Sequence, residues 1–289
     1  MIRAVVLFVL LAFNAVATAH ADAARHSDTV DYTDIKGGKV ALQTIVEGSG
    51  PAIVMLPSSG RDGGADFDVV ASRLAAAGYT VLRPQPRGVM GSTGPMDGVS
   101  LHLLADDVAM VIERLGAGRA VIVGHAFGHF VARMVAVDHP ALVRGVVLAA
   151  AAASKWAPEI AATPLIAGNP SLPDTERLAA LRFGFFAPGH DPAAWLQGWW
   201  PAAQTMETNS REKSGVQQSE WWSAGTAPLL ELIPATDPFK PRDKWSELAA
   251  SYGDRVTTIV IPDASHALFP EQPASVAEAI VAWVATLPP

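Results

Sequence analysis

Short, unbroken Val/Ile/Leu runs alternate with segments of helical period, and this alternation restricts the fold more than any other feature. "AIVML" at 52–56, "AVIV" at 120–123, "GVVLA" at 145–149, "LLELIP" at 229–234 and "VTTIVI" at 256–261 are too short to cross a membrane. Most of them also lack the polar alternation of a strand with one wet face. Further strands are expected at 29–35, 39–47 and 80–83, and helices at 67–77, 102–115, 127–138, 244–251 and 273–286. The turn "KGGK" reads as an antiparallel hairpin joining the first two strands. Strands buried on both faces with helices as crossovers predict an α/β fold: a mostly parallel eight-stranded sheet flanked by helices.

The rhythm fails at two places. Residues 1–21 combine an early positive charge at Arg3, an apolar run from Ala4 to Ala17 and the small-residue sequence "AHA" before Asp22. That pattern is a secretory signal peptide cleaved after Ala21, giving an exported protein, periplasmic or secreted, with no stable membrane insertion after cleavage. The second break is the proline-rich segment 152–226, expected to be a helical cap inserted into a core domain formed by 22–151 and 227–289. Its Trp195, Trp199, Trp200, Trp221 and Trp222 either pack the cap's own core or form an aromatic wall around a ligand.

Composition excludes several chemistries. Loss of Arg3 with the leader leaves 20 basic against 28 acidic residues, a net charge of −8, and no basic cluster suits nucleic acid. The chain has no cysteine, so disulfides, thiolate nucleophiles and Cys-ligated metals are excluded. A metal site from His125, His129, His266 and Asp62 is not the expected reading. No metal and no cofactor are expected.

In "VIVGHAFGHF", Gly124-x-Ala126-x-Gly128 follows a buried strand and opens an amphipathic helix. A chain turning this sharply from strand into helix has no room for side chains at the two glycines. "PLLELIPATDPFKP" places Asp237 just beyond a buried strand, and "VTTIVIPDASHALFPEQP" places His266 beyond the next. Strand-borne turn, acid and histidine thus occur in the chain order of a nucleophile–acid–histidine triad.

Over nearly the whole mature chain these motifs resemble the α/β-hydrolase superfamily. "LRPQPRGVMGSTGP" resembles its loop after the fourth strand, with Gln85 where an acid normally stands, and "SHALFPEQPASVAEAIVAWV" resembles its histidine loop and last helix. The co-occurrence of "PSSGR", "PRG", "GHAFG" and "HALFPEQP" is similar to a bacterial branch in which alanine is the ordinary residue at the nucleophile position. The resemblance implies an elbow of Gly124, His125, Ala126, Phe127 and Gly128, and an oxyanion hole from the N–H groups of Ser59 and Phe127. Ala126 has no lone pair, so no acyl-enzyme forms there.

What remains is a His266–Asp237 dyad able to activate water against an ester or similar carbonyl, with a small apolar or ester molecule as the expected partner. Two other readings stay open: cofactor-free lyase or oxygenase chemistry at the same histidine, and a pseudoenzyme that binds a small molecule. Ser58 and Ser59 offer hydroxyls from the facing loop, more in character as turn residues than as nucleophiles. Arg61 and Arg87 are candidates for a substrate carboxylate, although loop arginines commonly tie loops together.

Overall fold

The computed structural model describes residues 25–288. Residues 1–21, expected from the sequence to be a signal peptide, lie outside them. Among the described residues no helix is long and apolar enough to cross a membrane.

Eight strands form one sheet: β1 His26–Thr33, β2 Lys39–Gly48, β3 Ala52–Leu56, β4 Thr80–Pro84, β5 Ala120–His125, β6 Val143–Ala149, β7 Leu229–Pro234 and β8 Val256–Ile261. Their order is β1-β2-β4-β3-β5-β6-β7-β8, antiparallel for β1–β2 and β2–β4 and parallel from β4 to β8. The helices are α1 Asp68–Ala76, α2 Leu101–Leu115, α3 Gly128–Asp138, α4 Pro158–Ala161, α5 Thr163–Ala167, α6 Asp174–Gly184, α7 Pro201–Glu212, α8 Gln218–Trp221, α9 Glu247–Tyr252, α10 Leu268–Glu271 and α11 Pro273–Val284.

The period-2 pleat divides each central strand between two cores. Ala52, Val54 and Leu56 of β3 join α2 and α3 on one face, while Ile53 and Met55 join α1 and α11 on the other. Both faces are dry, as continuous apolar strands require. Between β6 and β7 the chain leaves the sheet and builds α4–α8, a cap with its own cluster of Phe185, Phe186, Trp195 and Leu181. The sequence showed no helix period in this stretch because its helices are short or polar. In β5 the ladder runs two residues beyond the expected end, pairing Gly124 with Leu148 and His125 with Ala149. That extension brings the turn directly onto the strand.

Candidate functional site

At the end of β5 the backbone reverses within one residue. Ala126 has φ +45°, a left-handed conformation that costs a non-glycine residue about 1–3 kcal/mol. The cost is sustained by fixed neighbours: Ala126 N donates to Ala149 O at 3.0 Å, and Gly128 N to Pro57 O at 3.1 Å. A Cβ on Gly124 would lie 2.5 Å from Gly128 O, and one on Gly128 would lie 2.5 Å from Leu56 O. The crossing of β5, α3 and the end of β3 therefore demands both glycines.

Asp237 and His266 lie in the turns after β7 and β8. His266 Nδ1 is 3.0 Å from Asp237 Oδ2, and the other carboxylate oxygen accepts Phe239 N at 2.9 Å. Both residues are buried. With its proton on Nδ1 donated to the carboxylate, the ring keeps its Nε2 lone pair as a base. The imidazole stacks on Phe239, with ring centroids 4.1 Å apart, and meets the edge of Phe185 at 5.4 Å. Its loop is held by Ala267 N to Phe185 O at 2.8 Å and Ser265 N to Glu271 Oε2 at 2.7 Å.

His125 points away from the cavity and donates Nε2–H to the His266 carbonyl at 2.7 Å. Burial, aided by the positive potential of His266, pushes its pKa down to about 3, so it serves as a neutral strut.

His266, Ala126, Phe127, Ser58 and Ser59 line one cavity of about 170 Å³. Among the described residues, neither Ser59 N nor Phe127 N has a protein acceptor. Two unclaimed donors beside one cavity are the arrangement an oxyanion needs. The cavity's polarity is mixed. Phe130, Trp156, Phe185 and Phe239 make it apolar on one side, while α7 presents Gln204, Thr208, Arg211 and Glu212 on a single helical stripe. A purely apolar ligand would leave that stripe unmatched.

His129 also lines the cavity, and both its ring nitrogens are buried without a partner. Burial holds its pKa well below the usual histidine range. An unpaired buried polar group costs about 1–3 kcal/mol.

The aromatic wall is not where the sequence placed it. Trp195, Trp199, Trp200, Trp221 and Trp222 are all absent from the cavity lining, whereas Trp156 is present. Trp195 and Trp199 pack in the cap's own core against the Arg61 guanidinium, which lies 4.3 and 5.2 Å from their rings. Trp221 and Trp222 pack against Arg133 beside α3. Trp200 turns toward Asp62, with Nε1 3.4 Å from its carboxylate.

Arg61 is likewise committed elsewhere. It pairs with Asp66 at 2.8 Å, donates to Gln197 O at 2.6 Å and does not reach the cavity. Arg87 is buried and bonded to Asp107 and Asp34, locking β1–β2 to α2. Gln85 accepts Gly63 N at 3.0 Å and donates to Arg83 O at 3.1 Å, bracing the loop after β3.

Sequence reasoning missed Phe239, Trp156 and Glu207. Phe239 follows Asp237 by two residues, so a flat ring beside the acid was open to local inference. For Trp156 and Glu207 no local signal exists, since both reach the site only through the packing of the cap.

A model described as the alpha/beta hydrolase family matches residues 53–279, and the chain belongs to that family. It is similar to 2-(acetamidomethylene)succinate hydrolase of Mesorhizobium japonicum, 27% identical over 230 residues that make up 78% of this chain and 74% of that one. Among solved structures it superposes on a thermophilic esterase from Thermogutta terrifontis with a TM-score of 0.71 at 20% identity, covering 90% of this chain and 98% of that one. The esterase RhEst1 from Rhodococcus sp. ECU1013 gives 0.72 at 19% identity, over 90% and 99%. At these identities the structural matches speak for the fold.

Proposed function

We propose that this chain hydrolyses an ester or similar carbonyl substrate without a covalent intermediate. His266, oriented by Asp237, takes a proton from a water held beside the Ala126 methyl; the water oxygen attacks the carbonyl carbon, and the oxyanion is received by Ser59 N–H and Phe127 N–H. Collapse of the adduct expels the leaving group, which takes the proton back from His266. The observation that carries the reading is the 3.0 Å bond between His266 and Asp237 on the rim of the cavity that Ala126 also lines. The hydrolase relative supports the reaction class without specifying a substrate. The α7 stripe favours a substrate with a polar arm.

Alanine is the working residue at 126 in this reading. General-base catalysis contributes about 10²- to 10⁴-fold, so turnover is expected to be modest. A fluorophosphonate probe should leave the protein unlabelled, and His266→Ala should abolish turnover. If that variant retains the activity of the parent on every ester tried, the proposal fails. We also propose export directed by residues 1–21, which an intact-mass measurement finding a mature N-terminus at Asp22 would support.

A further inference from the structure

The loop after β3 is held by the cap through a glutamate that no motif assigns. Glu207 of α7 is buried, 147 positions from Gly60, and its Oε2 accepts Gly60 N at 2.7 Å. The Ser59 hydroxyl also faces this carboxyl. The Gly60 carbonyl accepts Trp200 N at 2.8 Å, so both polar groups of Gly60 end on the cap. Gly60 has φ +68°, and a Cβ there would stand 2.8 Å from Gln204 Cβ, so α7 presses directly on this peptide. Arg61 N closes the turn onto Ser58 O at 3.1 Å. Ser59, inside that turn, is left with its N–H unclaimed beside the cavity. On its other side Glu207 lines a small void with Phe127 and Gly128.

We propose that Glu207 is a positioning residue for the oxyanion site, fixing the Ser59–Gly60 peptide from the cap so that Ser59 N–H faces the cavity together with Phe127 N–H. This rests on the hydrolase reading above, because it assigns those two donors to an oxyanion.

Burial pushes the Glu207 pKa up to about 8. Below that value a neutral carboxyl stands behind the donors; above it, an anion opposes the charge that develops on the substrate. The other polar groups facing it are the Ser59 hydroxyl, Gln85, and Asp107 of α2, whose carboxylate is paired with Arg87. Arg211 stands one turn further along α7 itself.

The test uses the full chain carrying A126S, in which the introduced hydroxyl attacks a fluorophosphonate, forming an O–P bond, expelling fluoride and passing its proton to His266. A126S/E207A should label at least 10-fold more slowly than A126S, while A126S/E207Q should restore most of the rate. The fall in rate above pH 8 expected of A126S should be absent from A126S/E207Q. Equal rates in A126S and A126S/E207A, or identical pH profiles with and without E207Q, overturn the proposal.

Hydrogen exchange of the Gly60 amide provides a measurement independent of chemistry: at least 10-fold faster in E207A than in the parent, and near the parent rate in E207Q. Unchanged exchange in E207A overturns the proposal even if A126S never labels, a result that would count against the hydrolase reading instead. Should E207A fail to fold, the comparison of A126S with A126S/E207Q across pH decides alone.

Discussion

Replacing Glu207 with glutamine should stabilise the protein, by an amount that grows with pH. An unfolded glutamate ionises near its ordinary value of 4.5, whereas burial keeps the folded carboxyl protonated up to about 8. Between those values the native state holds one proton more than the unfolded state, so stability declines as pH rises, at about 1.4 kcal/mol per pH unit. This contribution is fully present below pH 4.5 and is lost as pH climbs through 8. At pH 7 the accumulated deficit is about 3 kcal/mol relative to a group that never ionises.

Glutamine is such a group. It keeps a carbonyl oxygen for Gly60 N–H and replaces the acid hydroxyl with a donor that can reach the Ser59 hydroxyl. Urea unfolding of both proteins between pH 4.5 and 8.5 measures the difference directly. Asp66, Asp107, Glu231 and Glu271, whose pKa values are also raised by burial, occur in both proteins, so their contributions cancel. The difference should be near its minimum at pH 4.5, rise with pH and level off above 8. A difference that stays flat across this range, or that favours glutamate more strongly as pH rises, would refute the argument.

Other expectations follow from the same geometry. Gly128→Ala puts a Cβ 2.5 Å from the Leu56 carbonyl oxygen, a backbone atom that cannot yield, and should cost about 1–3 kcal/mol as an overpacking defect, read as a lower urea midpoint. Arg87→Ala strands the buried carboxylates of Asp34 and Asp107 and should lose about 3–5 kcal/mol, seen as a fall in melting temperature. His129→Leu removes two unpartnered buried ring nitrogens and should raise stability by about 1 kcal/mol, read as a higher urea midpoint. The amides of Trp200 and Ala267, which donate to Gly60 O and Phe185 O, should exchange with the slow core set and not as a separate, faster cap set.

Much of the sheet could be read directly from the sequence because burial on both faces leaves central strands such as 52–56 and 120–123 with uninterrupted apolar runs. The elbow was legible for a steric reason: two glycines in fixed spacing mark a crossing where Cβ atoms have no room. Asp237 and His266 were located by their places after successive strands. The tryptophans left two readings open because an indole packs equally well against a guanidinium, as Trp195 does on Arg61, and against a ligand. The α7 sequence "PAAQTMETNSRE" offers no apolar stripe, so nothing local shows that one edge of it faces the cavity while Glu207 faces the loop after β3.

That placement changes what the cap is in physical terms. A lid that opens must break only weak, solvent-exposed contacts. Here the cap takes both polar groups of Gly60 on the oxyanion side. On the histidine side, Phe185 O accepts Ala267 N, and Ala187 N donates to Glu271 at 2.6 Å, the same carboxylate that holds Ser265 N. Lifting the cap would free buried backbone groups on both loops at once, each at a cost of about 1–3 kcal/mol. It would also release the two loops that the proposed chemistry needs held still. The cap therefore belongs to the site as a wall, and the cavity lining meets solvent at the exposed Ala161, Leu165 and Glu212 and the half-buried Arg211. The cap reaches the histidine loop through Phe185 and Ala187 but reaches the Ser59–Gly60 peptide through α7, so substitutions on the inner face of α7 should disturb the oxyanion site before they disturb the histidine.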